Sequence, residues 1–288
     1  MAAHRNAAGW RDRQHHRPRA RGQRYRFHQA SARLAAVQPR GRGHHPRGRA
    51  FRAAPRPLAP ARAVRRPFAI AYEDEHLLVV DKAAGLVVHP ASGHRQGTLA
   101  QLLAGSAAGG ESQRAGIVHR LDRDTSGLLV VARSEDVHRM LQHALRRRLI
   151  QREYLALVQG TPPARSGTID APIGRDAQLR TRMIVGGSRP REARTHFTLE
   201  LALAAASLLR VRLETGRTHQ IRVHLSAIGH PVCGDPEYGT SGLFGLERQF
   251  LHSARLAFDH PVTHARVDVS SPLPEDLARA LRRAEEGR

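Results

Sequence analysis

From Phe68 onward the chain alternates apolar and polar positions in short runs, a rhythm that predicts strands. FAIAYEDEHLLVVDKAAGLVVHP reads as strands over 70–72, 77–81 and 86–88, separated by acidic and glycine turns. A short helix is predicted over 98–103, followed by a Gly/Ser/Ala-rich loop, and GLLVVAR at 127–133 reads as a buried strand. Ser134 with Glu135 and Asp136 then opens a helix to about residue 148, an N-cap with acids in the first turn. Further strands are predicted over 153–159, 195–201 and 208–214, with short alternating segments as far as Val269 and a closing helix over 274–284. Many short strands and few helices predict an α+β domain: a mixed, mostly antiparallel sheet flanked by helices and loops. No internal repeat is visible.

The first 67 residues lack this rhythm, and there composition changes the picture. They hold 18 arginines and one acid, Asp12, whereas residues 68–288 hold 29 Lys+Arg and 24 acids. The first quarter thus carries +17 of the chain's formal charge of +22. Such a segment buries too little apolar surface to offset its ordering entropy, so residues 1–67 are expected to be disordered and 68–288 to form one domain. Two readings of the leader stay open: a basic arm that binds RNA phosphates by counterion release, or an unstructured, mis-assigned leader with no selected role. The single cysteine, Cys233, excludes a disulfide framework. No apolar run approaches about 18 residues and no secretory signal is visible, so a cytoplasmic protein with no membrane partner is expected. The basic balance makes nucleic acid the expected partner.

The candidate chemistry sits where strands end. GIVHRLDRDTSGLLVVARS (116–134) leads from an apolar pair through His119, Arg120, Leu121 and Asp122 into a polar turn. A turn carboxylate can be held by backbone N–H groups and aimed into a cleft. Asp122 and Asp124 together suggest a metal or glycosidase-like pair, but a spacing of two in a turn seldom aims both at one centre. One working acid is the preferred reading, and a solvated turn aspartate the plain one. In LRVRLETGRTHQIRVHLSAIGHPVCGDPEYG (209–239), Gly216 permits a tight turn and Thr218 can cap a helix whose Ile221, Leu225 and Ile228 form an apolar stripe. His219 and Arg222 share a different face, and an arginine fixed there suits a buried catalytic carboxylate as ion partner. His219, His224 and His230 invite a metal, but their spacing does not put ligands on one face, so local hydrogen bonding is preferred. QREYLALVQG (151–160) presents Tyr154, either a core-edge residue or a platform for a base.

These segments together resemble the RNA pseudouridine synthases of the RluA/RluD type, over about residues 68–284. The resemblance is carried by HRLDRDTSG (119–127), TGRTHQIRVHL (215–225), GHPVCGDPEYG (229–239), REYLALVQG (152–160) and FLHSARLAFDHP (250–261); VVHPASGHRQGTL (87–99) is nearer the RluD branch. It implies an isomerase that converts uridine in RNA to pseudouridine, with no cofactor and no metal. By the same resemblance Asp122 is the catalytic aspartate, Tyr154 the tyrosine stacked on the target base, and Arg222 the ion partner of Asp122. Arg120 helps displace the uridine, Leu251 is an apolar wall, and His119 and His219 contact substrate. Large-subunit ribosomal RNA is the expected substrate, and a monomer the expected state. The alternatives are transfer RNA, a catalytically silent RNA-binding homologue, and a nucleosidase that would release free uracil. The chain departs from the family pattern at Asp81-Lys82-Ala83, where Asn-Lys-Pro is usual. It also shows no recognisable amino-terminal RNA-binding module.

Overall fold

The computed structural model describes residues 23–25, 67–90, 94–110, 116–179 and 181–287. Its strands begin with β1 (Gln23–Tyr25), β2 (Phe68–Glu73), β3 (Leu77–Lys82), β4 (Ser126–Ala132) and β5 (Gln151–Gln159). They continue with β6 (Ser166–Asp170), β7 (Ile173–Arg175), β8 (Met183–Val185), β9 (Ser188–Arg191), β10 (Arg194–Ala202), β11 (Ala206–Leu213), β12 (Leu251–Asp259) and β13 (Arg266–Ser270). The helices are α1 (Leu99–Leu102), α2 (Glu135–Arg146), α3 (Gln220–Ala227) and α4 (Glu275–Glu285).

One large sheet runs in the order β1-β6-β10-β11-β5-β12-β4-β3-β2, with β13 branching from β12, and β8-β7-β9 form a small second sheet. Within the large sheet the β1/β6 and β4/β12 pairs are parallel and the others antiparallel. The fold is therefore the expected α+β class. Of the amino-terminal 66 residues only β1 is described, paired Gln23 to Gly167; the disorder expected of that segment otherwise falls outside the described residues.

The period-2 geometry of β3 and β4 explains why both read as unbroken apolar runs. Leu77, Val79, Leu128 and Val130 point to one face, against Val137 and Leu141 of α2. Leu78, Val80, Leu129 and Val131 point to the other, in the core that includes Leu99, Ile221, Leu225 and Leu277. Helices cover both faces, so neither face needs polar residues. Helix α2 begins as expected, with Ser134 Oγ accepting from Val137 N at 3.3 Å. It ends at Arg146, short of 148, because Arg148 turns left-handed at φ 61°.

Two other expectations fail for local reasons. Residues 86–88 are not a strand: the Val87 and Val88 carbonyls accept from Leu99 N and Ala100 N, at 2.8 and 3.0 Å, and so seat the start of α1. Their apolar pattern reflects burial of Leu86 and Val88 in the core. Thr218 does not cap α3 either; the N-cap is His219, left-handed at φ 55° with no side-chain cap bond. The strands β6 to β9 went unread because they are short, three to five residues each, and β9 (SRPR) is exposed throughout.

Candidate active site

Asp122 lies just before β4, in a turn closed by Thr125 N donating to the Asp122 carbonyl at 3.1 Å. Two side chains outside the turn hold it. Lys82, buried at the end of β3, donates to the carbonyls of Ala83, Leu86 and Arg123 at 2.8, 2.9 and 2.8 Å. Burial pulls its pKa down to about 7, opposed by Asp124 and Asp122. Arg248 Nη1 donates to the Asp124 carbonyl at 2.9 Å, its Nε anchored on Asp276 at 2.6 Å. At Gly127 (φ 106°) a Cβ would stand 2.2 Å from Ser253 O, so glycine is what lets β4 approach β12 directly after the turn. Asp124 turns away and is gripped by the Arg123 guanidinium, with Nη2 to Oδ2 at 2.9 Å. The pair of acids therefore separates, and only Asp122 lines the cavity described below.

Across the cavity, α3 carries Arg222. Its strongest partner is Asp235, fully buried, which accepts from Nε at 2.7 Å and Nη2 at 2.8 Å. Nη1 reaches Asp122 Oδ2 at 3.3 Å, Nη2 reaches Glu237 at 3.4 Å, and the guanidinium lies 4.9 Å over the Tyr238 ring. Burial works against the charge, but the hydrogen bonds and charge of Asp235, then Asp122 and Glu237, outweigh it and raise the pKa of Arg222. Asp235 in turn accepts backbone N–H bonds from Glu237 and Tyr238 at 2.9 and 3.1 Å. The GDPEYG segment is thus the clamp that fixes Arg222.

The loop ahead of α3 is organised by Gln220. Its Oε1 accepts from Thr215 Oγ1 and Arg217 N (2.8 and 2.9 Å), and its Nε2 donates to Arg194 O and Thr195 Oγ1 (3.0 and 2.9 Å). Gln220→Ala strands these buried groups and is expected to cost about 2 kcal/mol, read as a fall in Tm of roughly 4–8 °C. A change below about 1 °C in thermal unfolding would show that water replaces the amide.

A cavity of about 540 Å³ opens between these elements. Its lining includes Asp122, Tyr154, Arg222, Arg120, His119, His219 and Leu251, so all seven residues singled out from sequence face one space. Tyr154 comes from β5, and burial raises its phenol pKa against the opposing charge of Arg152. His219 Nδ1 lies 2.9 Å from the Tyr238 hydroxyl, and burial lowers its pKa despite Asp122. Burial, with Arg152 nearby, takes His119 down to about 3. Asp122, Glu192 and Glu214 are the carboxylates of the lining. Glu214 is engaged by His196, Arg148 and Arg194, and Glu192 by Arg148. Asp122 makes the single Arg222 contact, which leaves its Oδ1 without a hydrogen-bond partner among the described residues.

The three histidines weighed as metal ligands part company. His224 bonds Thr195 Oγ1 and Ala171 O, each at 2.9 Å, and His230 bonds Gln159 O at 3.0 Å. Among the described residues no group of three ligating side chains gathers, and no helix is long and apolar enough to cross a membrane. Sequence reasoning passed over Asp235, Glu237 and Gln220, although GDPEYG and THQ stand in quoted motifs. It also passed over Arg152, two residues before Tyr154 and therefore on the same face of β5.

The family described as RNA pseudouridylate synthase matches residues 76–227. The chain belongs to that family. The match spans β3 to α3 and so contains Asp122, Tyr154 and Arg222. A relative from Zymomonas mobilis, named ribosomal large subunit pseudouridine synthase D, is 46% identical over 225 residues, 73% of this chain and 71% of its own length. One of the same name from Nitrosomonas europaea is 47% identical over 75% of this chain, a match that spans 64% of the relative. Among solved structures, human RNA pseudouridylate synthase domain containing 1 superposes with a TM-score of 0.57 at 30% identity, covering 72% of this chain and 84% of that one. The family is one of isomerases, and the chain is placed among its RluA/RluD-type members.

Proposed function

We propose that the chain isomerises uridine to pseudouridine in large-subunit ribosomal RNA, using Asp122 on a uridine turned out of its stack. The observation that carries this reading is Asp122 itself, a carboxylate fixed by Arg222 on one oxygen and open on the other, in a cavity shared with Tyr154. The names of the relatives from Zymomonas and Nitrosomonas supply the choice of RNA.

In the reaction the bond from uracil N1 to ribose C1′ breaks, C5 bonds to C1′, the C5 proton leaves, and N1 gains a proton. Turning the base out costs a few kcal/mol, and stacking on Tyr154 returns about 1–3 kcal/mol. The open Oδ1 of Asp122 serves the first step, as nucleophile at C1′ or as base toward a sugar proton, while Arg222 holds the other oxygen still. Since burial raises the Tyr154 pKa, the phenol stays protonated and offers a ring face and a hydroxyl. Tyr154→Phe is therefore expected to keep RNA affinity within about threefold and lower kcat by tenfold or more. Unchanged kinetics would reduce Tyr154 to a stacking surface.

The deciding experiment is pseudouridine mapping of ribosomal and transfer RNA from cells with and without the chain, repeated with purified protein. Sites that depend on it in large-subunit RNA support the reading. Sites confined to transfer RNA would move the substrate, and free uracil would replace isomerisation by hydrolysis.

A further inference from the structure

One charged group in the cavity has no use in the mechanism above. Arg152 on β5 is 4% exposed and lines the cavity. Its Nε has no hydrogen-bond partner among the described residues, and its bond from Nη2 to the Glu214 carbonyl is long, at 3.5 Å. Among the described residues no lining carboxylate pairs with it: Glu214 pairs with His196, Arg148 and Arg194, Glu192 with Arg148, and Asp122, by one oxygen, with Arg222. A buried cation is ordinarily paired, so one left unpaired beside a substrate cavity calls for an anion from the substrate.

A second unpaired donor lies near it. His119 Nε2 accepts from Val130 N at 3.3 Å, so the neutral ring carries its proton on Nδ1, and Nδ1 is buried with no partner among the described residues. The two side chains come from different elements, β5 and the loop before β4. Gly216 makes room for the guanidinium, since a Cβ there would stand 2.9 Å from Arg152 Nη1.

We propose that Arg152, with His119 Nδ1, forms an oxyanion subsite that takes a non-bridging phosphate oxygen of the RNA backbone next to the displaced uridine. This rests on the RNA substrate of the proposed function. In an RNA substrate the standing anion is the phosphodiester, and a guanidinium with an N–H donor beside it suits such an oxygen. Arg152 stands two residues from Tyr154 on one strand face, so gripping the phosphate would position the nucleotide whose base stacks on that ring. Arg152 is in this sense a substrate-positioning residue.

The test uses the full chain with Asp122→Asn, which stops turnover, and a stem-loop oligoribonucleotide with one unpaired uridine. Adding Arg152→Gln is expected to weaken affinity about tenfold and to flatten the log–log salt dependence by about one counterion. Replacing the linkage 5′ or 3′ of the uridine by an uncharged methylphosphonate should cost the Arg152 protein the same tenfold at one of the two positions. The Arg152→Gln protein should then lose nothing further. Equal losses in both proteins, or unchanged affinity and slope, would overturn the subsite. Should Arg152→Gln not fold, the methylphosphonate pair decides alone: no loss at either linkage overturns the proposal. Gly216→Ala, which presses on Nη1, gives a second reading in the expected direction. Pseudouridine formation by the unmutated chain is scored separately. If it is absent while one linkage matters through Arg152, the isomerase reading fails and the subsite stands.

Discussion

Asp122→Asn is expected to eliminate pseudouridine formation, a loss of at least about 10²–10⁴-fold, while RNA affinity stays within about threefold. The substitution keeps size and shape and removes the charge at the lining carboxylate that Arg222 holds by one oxygen. It leaves the fold in place because Arg222 retains its paired bonds to Asp235 and its contact with Glu237. Thermal unfolding should therefore shift by no more than about 2 °C. Asp124→Asn is the internal control: that side chain pairs with Arg123 outside the cavity, so activity within about threefold of the unmutated chain is expected. Single-turnover conversion of a ribosomal RNA fragment, followed by pseudouridine-specific chemistry, measures both. Substantial turnover by Asp122→Asn, or an equal loss in Asp124→Asn, would remove Asp122 from the centre of the reaction.

The contrast between these aspartates shows what was legible beforehand. That the two acids would not both aim at one centre followed from spacing in a turn; which way each points depends on Arg123, Lys82 and Arg248, the last more than 120 residues away in sequence. Strands β3, β4 and β5 and helix α2 were readable because their burial follows one period and their caps are local. Residues 86–88 misled because burial alone makes an apolar run, whatever the backbone does with its carbonyls. Thr218 misled because the loop before α3 takes its order from Gln220, whose four partners lie on β10 and in the loop itself. Arg152 was invisible for a different reason. Among 46 arginines nothing in the sequence marks one as buried and unpaired; only its buried place in the cavity lining, beside Gly216, does.

Asp235→Asn is expected to cost more stability than Asp122→Asn or Tyr154→Phe. Asp235 is fully buried and binds Arg222 through both oxygens, at 2.7 and 2.8 Å. Removing one partner of such a pair leaves a buried charge uncompensated and typically costs about 3–5 kcal/mol. Activity should fall as well, because Arg222 is what fixes Asp122, and without its clamp the guanidinium is free to swing toward Glu237. The pH dependence separates loss of charge from loss of packing. Burial tends to raise the Asp235 pKa, but the Arg222 hydrogen bond and charge, with the two backbone N–H bonds, lower it overall from its ordinary 3.8. A carboxylate whose folded pKa is depressed stabilises the fold fully above its unfolded pKa, and that contribution is lost as pH falls through the folded value. The gap in Tm between the unmutated chain and Asp235→Asn should therefore be largest near neutral pH, constant down to about pH 5, and shrinking below about pH 4. A gap that persists unchanged to pH 3 would mean that the asparagine fails by shape, and that Arg222 is held in place by the Tyr238 ring and its helix instead.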